Sequence, residues 1–195
     1  MRFAALLLRW NAIHNLTAIE RAADVGPLHL LDSLAIIPAL QDRAPPGELR
    51  ILDVGSGGGL PGIPLAIAWP HAHVVLLDKV RKKTAFLQHA KTQLQLANVE
   101  VAHARVEAWQ APPFPLIVSR ALTTLSDFVA LTDHLLAEGG LWAAMKGALP
   151  VEEIAALPTT VRAIAAVKLR VPLLAAERHL ILLRRRQDAP ADAGA

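Results

Sequence analysis

The chain has 195 residues, a formal net charge of +3 and no cysteine, and 53% of its residues are hydrophobic. These values predict one domain with a substantial core, and no stretch of about 18 residues is apolar enough to predict a membrane span. The lack of cysteine excludes disulfides, thiolate metal sites and a cysteine nucleophile, and the eight histidines lack the spacing of metal ligands, so no metal is predicted.

Two helices are predicted in the N-terminal segment, over residues 3–14 and 26–40. The opening apolar run is short and is followed by Arg9, which favours a buried helix over a signal peptide. We therefore expect a cytoplasmic protein. A turn rich in proline and glycine at 42–47 then leads into an apolar strand at 50–54.

The most informative stretch follows that strand. The apolar run ends at Asp53, and five of the eight residues from 55 to 62 are glycine. Glycine lets backbone N–H groups approach a ligand closely, and Pro61 suits the first turn of a helix. We expect a buried strand, a sharp turn and a helix that opens near Leu60 or Pro61, with its N-terminus beside a nucleotide-like ligand.

Short apolar runs alternate with helices along the rest of the chain. Further strands are predicted at 74–77, 99–102, 116–118, 141–145, 161–169 and 179–183. Helices are predicted at 80–97 and 123–137, the second ended by Gly139 and Gly140. This alternation predicts an α/β fold with a mostly parallel sheet that is covered on both faces. Residues 189–195 form an Ala-rich tail that we expect to be disordered.

Polar residues follow the ends of five of these strands. The carboxyl ends of parallel strands share one edge of a sheet, and ligands bind there at the point where the strand order reverses. Asp78 follows Gly55 by about 20 residues, the spacing of an acid that bonds ribose hydroxyls. The other candidates at this edge are Asp53, Arg105, Val106, Glu107, Ser119, Arg120, Lys146 and Gly147. Their repetition at one edge predicts a shared binding site.

Two classes of ligand fit the glycine loop. Residues 57–62 match the G-x-G-x-x-G pattern of nicotinamide dinucleotide-binding proteins, but that register leaves Asp53 unexplained. The other register, with Asp53, Gly55, Gly57 and Gly59 at alternate positions, is the first motif of class I S-adenosylmethionine methyltransferases. A carboxylate beside the loop suits a cofactor with an ammonium and a sulfonium. The sequence favours the methyl donor, with an NAD(P)-binding oxidoreductase as the alternative.

Basic residues cluster in two segments although the net charge is small. The first segment contains Lys79, Arg81, Lys82, Lys83 and Lys91, and the second is the arginine run at 184–186. A charge run is as often a solvated face as a surface for a polyanion, so both interpretations stay open. Aromatic residues make up only 4% of the chain, which disfavours a stacking platform for single-stranded nucleic acid.

Motifs spread along the chain resemble those of one family. They are Trp10-Asn11, His29-x-x-Asp32-Ser33-Leu34, Leu52-Asp53-Val54-Gly55-Ser56-Gly57, Leu60-Pro61-Gly62-Ile63-Pro64, Lys82-Lys83, Phe86-Leu87, Arg105-x-Glu107, Ser119-Arg120-Ala121, Lys146-Gly147 and Glu177-Arg178. Over residues 10–185 the chain resembles the RsmG (formerly GidB) family of bacterial 16S ribosomal RNA guanine-N7 methyltransferases. The Leu-Pro-Gly-Ile-Pro and Ser-Arg-Ala elements are more specific than the glycine loop.

The resemblance implies a fold and a domain organisation. The fold is a class I methyltransferase (Rossmann-like) three-layer sandwich, a mostly parallel seven-stranded sheet with an N-terminal helical extension. A single methyltransferase domain is expected over 1–188, with N-terminal helices at 1–40 and a Rossmann-like core at 48–185. The expected substrate is 16S rRNA or a small-subunit assembly particle, and the expected protein is a monomer.

The resemblance also implies how S-adenosyl-L-methionine is held. Its family pattern assigns the cofactor to Gly55, Leu60, Arg120 and the Val106-Glu107 pair. Asp53 and Gly57 of the first motif are expected beside it, and the logic of class I enzymes places Asp78 on the ribose.

Methylation at guanine N7 makes modest chemical demands. N7 has an available lone pair, so alignment with the methyl group and exclusion of water suffice, and no general base is predicted. Arg120 is a candidate for positioning the substrate or the methionine carboxylate, or for a strand-end ion pair with Glu107 or Asp53. His29 and Asp32 are expected to form a structural pair under the loop. A non-catalytic module that binds S-adenosylmethionine stays open as another alternative.

Overall fold

The structure is a computed structural model that describes residues 2–14, 16, 26–41, 43, 49–120 and 123–186. The predicted tail at 189–195 lies outside the described residues. The predicted turn at 42–47 also lies outside them, apart from Arg43.

The N-terminal segment is helical, as predicted, but less regular than two helices. Helix α1 spans Arg2–His14. A π-helical turn at Gly26–Leu31 leads into the short helices α2 (Asp32–Leu34) and α3 (Ile37–Gln41). Pro38 explains the break between α2 and α3, because it has no N–H to donate to the preceding turn and a single helix over 26–40 would need that bond.

All seven predicted strands are present and form one sheet. They are β1 (Arg50–Val54), β2 (His73–Asp78), β3 (Val99–His103), β4 (Phe114–Arg120), β5 (Leu136–Lys146), β6 (Val161–Lys168) and β7 (His179–Arg185). Their order is β3–β2–β1–β4–β5–β7–β6. β7 runs antiparallel to β5 and β6, and the other pairs are parallel. The order reverses between β1 and β4, which is where an open α/β sheet binds its ligands.

Helices cover both faces of the sheet. They are α4 (Gly62–Ala68), α5 (Arg81–Leu94), α6 (Leu125–Thr132) and α7 (Val151–Ala155), with 3-10 turns at Val106–Ala108 and Asp133–Leu135. Ile51 packs into the core shared with α1, α4 and α5, and its neighbour Leu52 packs into the core shared with α6. Successive residues of a strand face opposite sides of a sheet, so the apolar residues of β1 are buried in both cores. In the described part of the chain, every helix is too short or too polar to cross a membrane.

The helix predicted over 123–137 is present as α6 (Leu125–Thr132), but its predicted end at Gly139 and Gly140 is wrong. α6 ends at Thr132, and after a 3-10 turn the chain is already extended from Leu136. The two glycines lie inside β5, where the pairing with β4 shifts register and Gly139 has a φ of +66°. A glycine with positive φ serves a β-bulge as well as a helix end, and the apolar residues before it fit either element.

Candidate active site

A cavity of about 330 Å³ lies at the carboxyl ends of β1, β2 and β4, where the strand order reverses. Its lining residues are Val54, Gly55, Leu77, Asp78, Lys79, Val80, Lys83, Ala104, Val106, Glu107, Arg120 and Leu131. Five of the residues predicted for the site, namely Gly55, Asp78, Val106, Glu107 and Arg120, are therefore together on its wall.

The glycine loop forms the floor of this cavity at Gly55, whose φ is +71°. The N–H groups of Gly55 and Ser56 both donate to the carbonyl oxygen of Leu77, at 2.9 and 3.1 Å, which ties the turn to β2. A left-handed conformation favours glycine, and the missing side chain leaves the backbone open to the cavity. Gly57 and Leu60 do not line the cavity, and Leu60 is buried in the core.

Asp53 lies beneath the loop rather than in the cavity wall. Its side chain is 0% exposed, and Oδ2 accepts a hydrogen bond of 2.9 Å from the N–H of Gly62, the first residue of α4. Burial raises the pKa of Asp53 to about 7, although the Gly62 hydrogen bond acts in the opposite direction. The carboxyl group therefore holds the loop to the start of α4, and it is not a fully ionised carboxylate facing a ligand.

The start of α4 agrees with the predicted opening near Leu60 or Pro61. The helix begins at Gly62, directly after its N-cap residue Pro61, and the N–H of Gly62 donates to Asp53. A Cβ added to Gly62 would lie 2.2 Å from Cδ2 of Leu76 and 2.6 Å from Oδ2 of Asp53. The N-terminus of α4 is thus packed into the protein and does not line the cavity.

Asp78 links the glycine loop to β2 and still faces the cavity. Its Oδ2 accepts from the N–H of Gly57 at 2.9 Å, its Oδ1 accepts from the N–H of Val80 at 2.8 Å, and Lys83 Nζ lies 4.0 Å from Oδ2. A carboxylate offers about four lone-pair sites. Two remain for a ligand, which suits a pair of hydroxyl groups.

The 3-10 turn after β3 supplies a neighbouring wall. Val106 is buried and presents an apolar surface, whereas Glu107 is exposed and its Oε1 accepts from Arg105 Nη2 at 3.1 Å. The hydrogen bond from its own backbone N–H lowers the pKa of Glu107, with Arg105 acting in the same direction. Glu107 is therefore an ionised acceptor at the rim of the cavity. Its ion-pair partner is Arg105 and not Arg120, for which the sequence had offered Glu107 as a partner.

Arg120 lines the cavity from the end of β4 and forms an ion pair with Asp32. Nη1 of Arg120 lies 3.4 Å from Asp32 Oδ2 and 3.3 Å from His29 Nδ1. Arginine has no acceptor, so a hydrogen bond to His29 uses the tautomer in which Nδ1 accepts. Burial lowers the pKa of Arg120, and Asp32 opposes the shift. The predicted structural pair of His29 and Asp32 thus holds a residue of the cavity wall.

Other strand-end candidates have structural partners. Lys146 Nζ donates to Glu153 Oε2 at 2.7 Å and to the carbonyl oxygen of Thr123 at 2.9 Å. Ser119 Oγ donates to the carbonyl oxygen of Val54 at 3.0 Å. Neither Lys146 nor Ser119 lines the cavity. Within the described ranges, no group of three or more histidine, aspartate or glutamate side chains is placed to hold a metal ion.

Sequence reasoning missed several residues of the site. Lys79 and Lys83 were grouped as a basic segment without a place in the cavity, and the apolar Leu77 and Leu131 carry no motif. Arg178 also lies near Arg120, since its Nε donates to Asp32 Oδ1 at 3.1 Å across 146 residues of chain. The family motifs contain Asp32 and Arg178, but nothing in the sequence pairs them.

Comparison with known proteins identifies close relatives. A family model described as rRNA small subunit methyltransferase G (GidB) matches residues 1–181. A protein named Ribosomal RNA small subunit methyltransferase G from Laribacter hongkongensis is 50% identical over 184 residues, which cover 94% of this chain and 86% of the relative. A protein of the same name from Pseudomonas aeruginosa is 48% identical over 186 residues, 95% of this chain and 85% of the relative.

Solved structures share the fold at lower identity. TrmN from Thermus thermophilus matches with a TM-score of 0.61 and 20% identity over 78% of this chain and 48% of its own. A ribosomal protein L11 methylase from Lactobacillus delbrueckii subsp. bulgaricus matches with a TM-score of 0.59 and 20% identity over 80% of this chain and 77% of its own. The fold is therefore that of the class I methyltransferases, as the sequence predicted.

Proposed function

This chain belongs to the GidB family, rRNA small subunit methyltransferase G, and on that premise we propose that it transfers a methyl group from S-adenosyl-L-methionine to N7 of a guanine in 16S rRNA. The observation that carries the proposal is the polarity of the cavity. A carboxylate, Asp78, lines the cavity at the end of β2 and a guanidinium, Arg120, lines it at the end of β4, with the apolar Val106 from the turn after β3.

The chemistry of these residues fits the cofactor part by part. Asp78 has lone pairs left for the two ribose hydroxyls, and Val106 offers an apolar surface to the adenine. Arg120 suits the methionine carboxylate, because a guanidinium binds a carboxylate strongly and would be repelled by the sulfonium. The open backbone at Gly55 allows close approach of the ligand. S-adenosylmethionine would supply the transferable methyl group.

The residues of the cavity act by orientation rather than by proton transfer. Guanine N7 attacks through a lone pair that needs no deprotonation, so the protein has to align N7 with the methyl group and keep water away. Asp53, whose burial raises its pKa to about 7, lies under the loop and has no access to a base in the cavity. We assign it to holding the loop, together with Gly57 and Leu60.

A nicotinamide dinucleotide is the less favoured ligand. Its pyrophosphate would need free N–H groups at the start of the helix that follows the glycine loop. In this protein the N–H of Gly62 donates to Asp53, and the first residues of α4 are buried. That packing favours the methyl donor over NAD(P).

We further propose that the protein acts as a monomer in the cytoplasm, on 16S rRNA or on a small-subunit assembly particle. Calorimetric titration with S-adenosylmethionine, followed by methyl transfer to small subunits from cells that lack the protein, tests the proposal. We expect binding at one site and one new methyl group on the 16S rRNA. Failure of correctly folded protein to bind the methyl donor would overturn the proposed function, and binding without transfer would indicate a non-catalytic module.

A further inference from the structure

Two arginines share one buried carboxylate at the edge of the cavity. Asp32, with a side chain 4% exposed, receives Arg120 Nη1 on Oδ2 at 3.4 Å and Arg178 Nε on Oδ1 at 3.1 Å. The arginine side chains are 22% and 25% exposed. Three segments that are distant in sequence meet here, namely α2, the end of β4 and the residue before β7. We call Arg120, Asp32 and Arg178 the arginine wall.

Arg178 keeps a guanidinium donor that its observed partners do not occupy. Its Nε donates to Asp32 Oδ1 and its Nη1 donates to the carbonyl oxygen of Glu177, so Nη2 is left among the described residues. Within the described residues, Asp32 is the only acidic ion-pair partner of Arg178. The neighbouring Glu177 does not neutralise it, since its carboxylate binds Lys168 at 2.9 Å and only its backbone oxygen accepts from Arg178. The remaining donor of this partly exposed guanidinium suits a further anion.

The two arginines differ in their position relative to the cavity. Arg120 lines the cavity, and Arg178 does not. Arg178 nevertheless lies at the same edge of the sheet, because the next residue, His179, pairs with Lys146 at the carboxyl end of β5. The positive charge of Arg178 also acts on Arg120, whose pKa it lowers. A partly exposed guanidinium therefore stands beside the cavity and outside it.

We propose that Arg178 is a substrate-binding residue, whose guanidinium contacts a backbone phosphate of the rRNA next to the target guanine. Asp32 is then a positioning residue that orients Arg120 toward the cofactor and Arg178 toward the RNA. Guanidinium groups bind phosphate through paired N–H donors, and the Asp32 contact fixes the orientation of the donors that remain. This inference rests on the proposed function, because it requires an RNA substrate at this edge.

The experiment compares Arg178→Gln with the wild type on small subunits from cells that lack the protein. We expect KM for the subunits to rise about tenfold, with kcat at saturation and the Kd for S-adenosylmethionine within about twofold. The slope of log KM against log salt concentration should fall by about 0.7 to 0.9, the loss of one phosphate contact. A structural role alone would not change that slope.

Two further variants keep the test decisive. Arg162→Gln is the matched control, because Arg162 is an exposed arginine of β6 that pairs with Arg184 at the opposite edge of the sheet, and its kinetics should equal those of the wild type. Arg178→Lys keeps the charge, so it should retain the salt slope and show a smaller rise in KM. If Arg178→Gln does not fold, Arg178→Lys decides through KM alone: a rise in KM with unchanged kcat and unchanged Kd for S-adenosylmethionine supports the inference, and an unchanged KM contradicts it.

Two outcomes would overturn the inference while leaving the proposed function intact. One is an unchanged salt slope and KM in folded Arg178→Gln. The other is a Kd for S-adenosylmethionine that rises as much as KM, which would assign Arg178 to the cofactor. Failure of the wild type to transfer a methyl group would instead contradict the proposed function itself.

Discussion

The two sides of the cavity are built in different ways. We call the side formed by Gly55 and Asp78 the glycine-loop wall. It comes from two adjacent strands, and the hydrogen bond that Gly57 donates to Asp78 spans 21 residues of chain. The arginine wall is assembled from three distant segments around Asp32, and the Arg178 bond to Asp32 spans 146 residues. One wall therefore joins neighbouring strands of one βαβ unit, and the other joins opposite ends of the chain.

The electrostatic states of the supporting carboxyl groups differ as well. Asp53 supports the glycine loop from a fully buried position, and burial raises its pKa to about 7. Asp32 supports the arginine wall as the counter-ion of two guanidinium groups. Local backbone hydrogen bonds can be accepted by a neutral carboxyl, whereas two arginines require an anion. Substitutions at these positions should separate the two kinds of support.

Asp53→Asn should remove a pH dependence of stability. Burial raises the pKa of Asp53 to about 7 in the folded protein from the 3.8 of an exposed aspartate, so between these values the folded state keeps a proton that the unfolded state has lost. The contribution to stability is complete below about pH 4, falls as pH rises, and is lost above about pH 7. Between pH 4 and pH 8, the unfolding free energy of the wild type should therefore fall by about 4 kcal/mol relative to that of the variant. Denaturant unfolding at pH 4 and pH 8 measures it, and a constant difference would contradict the buried, neutral Asp53.

Gly62→Ala should disrupt the glycine-loop wall from below. The new Cβ would meet Leu76 and Asp53, both fully buried, so the loop must shift. We expect the Kd for S-adenosylmethionine to rise about a hundredfold, in line with about 3 kcal/mol for an overpacked core. Gly139→Ala is the control, because Gly139 lies in β5 with open space around it and should affect stability alone. Calorimetric titration decides, and equal Kd values for both variants would contradict the packing argument.

Asp32→Asn should weaken both functions of the arginine wall at once. The amide keeps the shape of the side chain but cannot balance two guanidinium groups. We expect Kd for S-adenosylmethionine and KM for small subunits each to rise about tenfold, near the loss of one charge-assisted interaction. Asp78→Asn differs in this respect, since it should raise Kd and leave the RNA salt slope unchanged. An Asp32→Asn protein that binds both partners normally would show that the wall is only structural.

Asp133→Asn should have the smallest effect. Asp133 forms an ion pair of 2.8 Å with Arg185, and both side chains are substantially exposed at the edge opposite the cavity. An exposed pair contributes at most about 1 kcal/mol. Thermal unfolding should show a small loss of stability, with methyl transfer unchanged. Reduced activity in this variant would mean that the arginine run at 184–186 contacts the substrate, against its observed partners.

The sequence predicted what depends on neighbouring residues. Apolar runs located all seven strands, and the glycines after Asp53 located the loop and the edge of the sheet that binds the ligand. Family motifs pointed to Arg120. These predictions were correct because a strand, a turn and a strand end are each encoded within a few residues.

The sequence could not predict what depends on distant contacts. Asp32 and Arg178 are 146 residues apart, and no local pattern pairs them. The burial of Asp53 follows from the packing of α4 above it, so a carboxyl group interpreted as facing the ligand lies beneath the loop. Gly139 ends no helix, because the same glycine chemistry serves the bulge in β5.

The most direct test of the account maps the methyl group on the product. Small subunits from cells that lack the protein are incubated with the purified protein and isotopically labelled S-adenosylmethionine, and the 16S rRNA is digested and mapped by mass spectrometry. The account predicts one labelled methyl group, on N7 of a single guanine, with loss of the label in Gly62→Ala. A label on an exocyclic amine or on another base, or no label from a protein that binds the methyl donor, would contradict it.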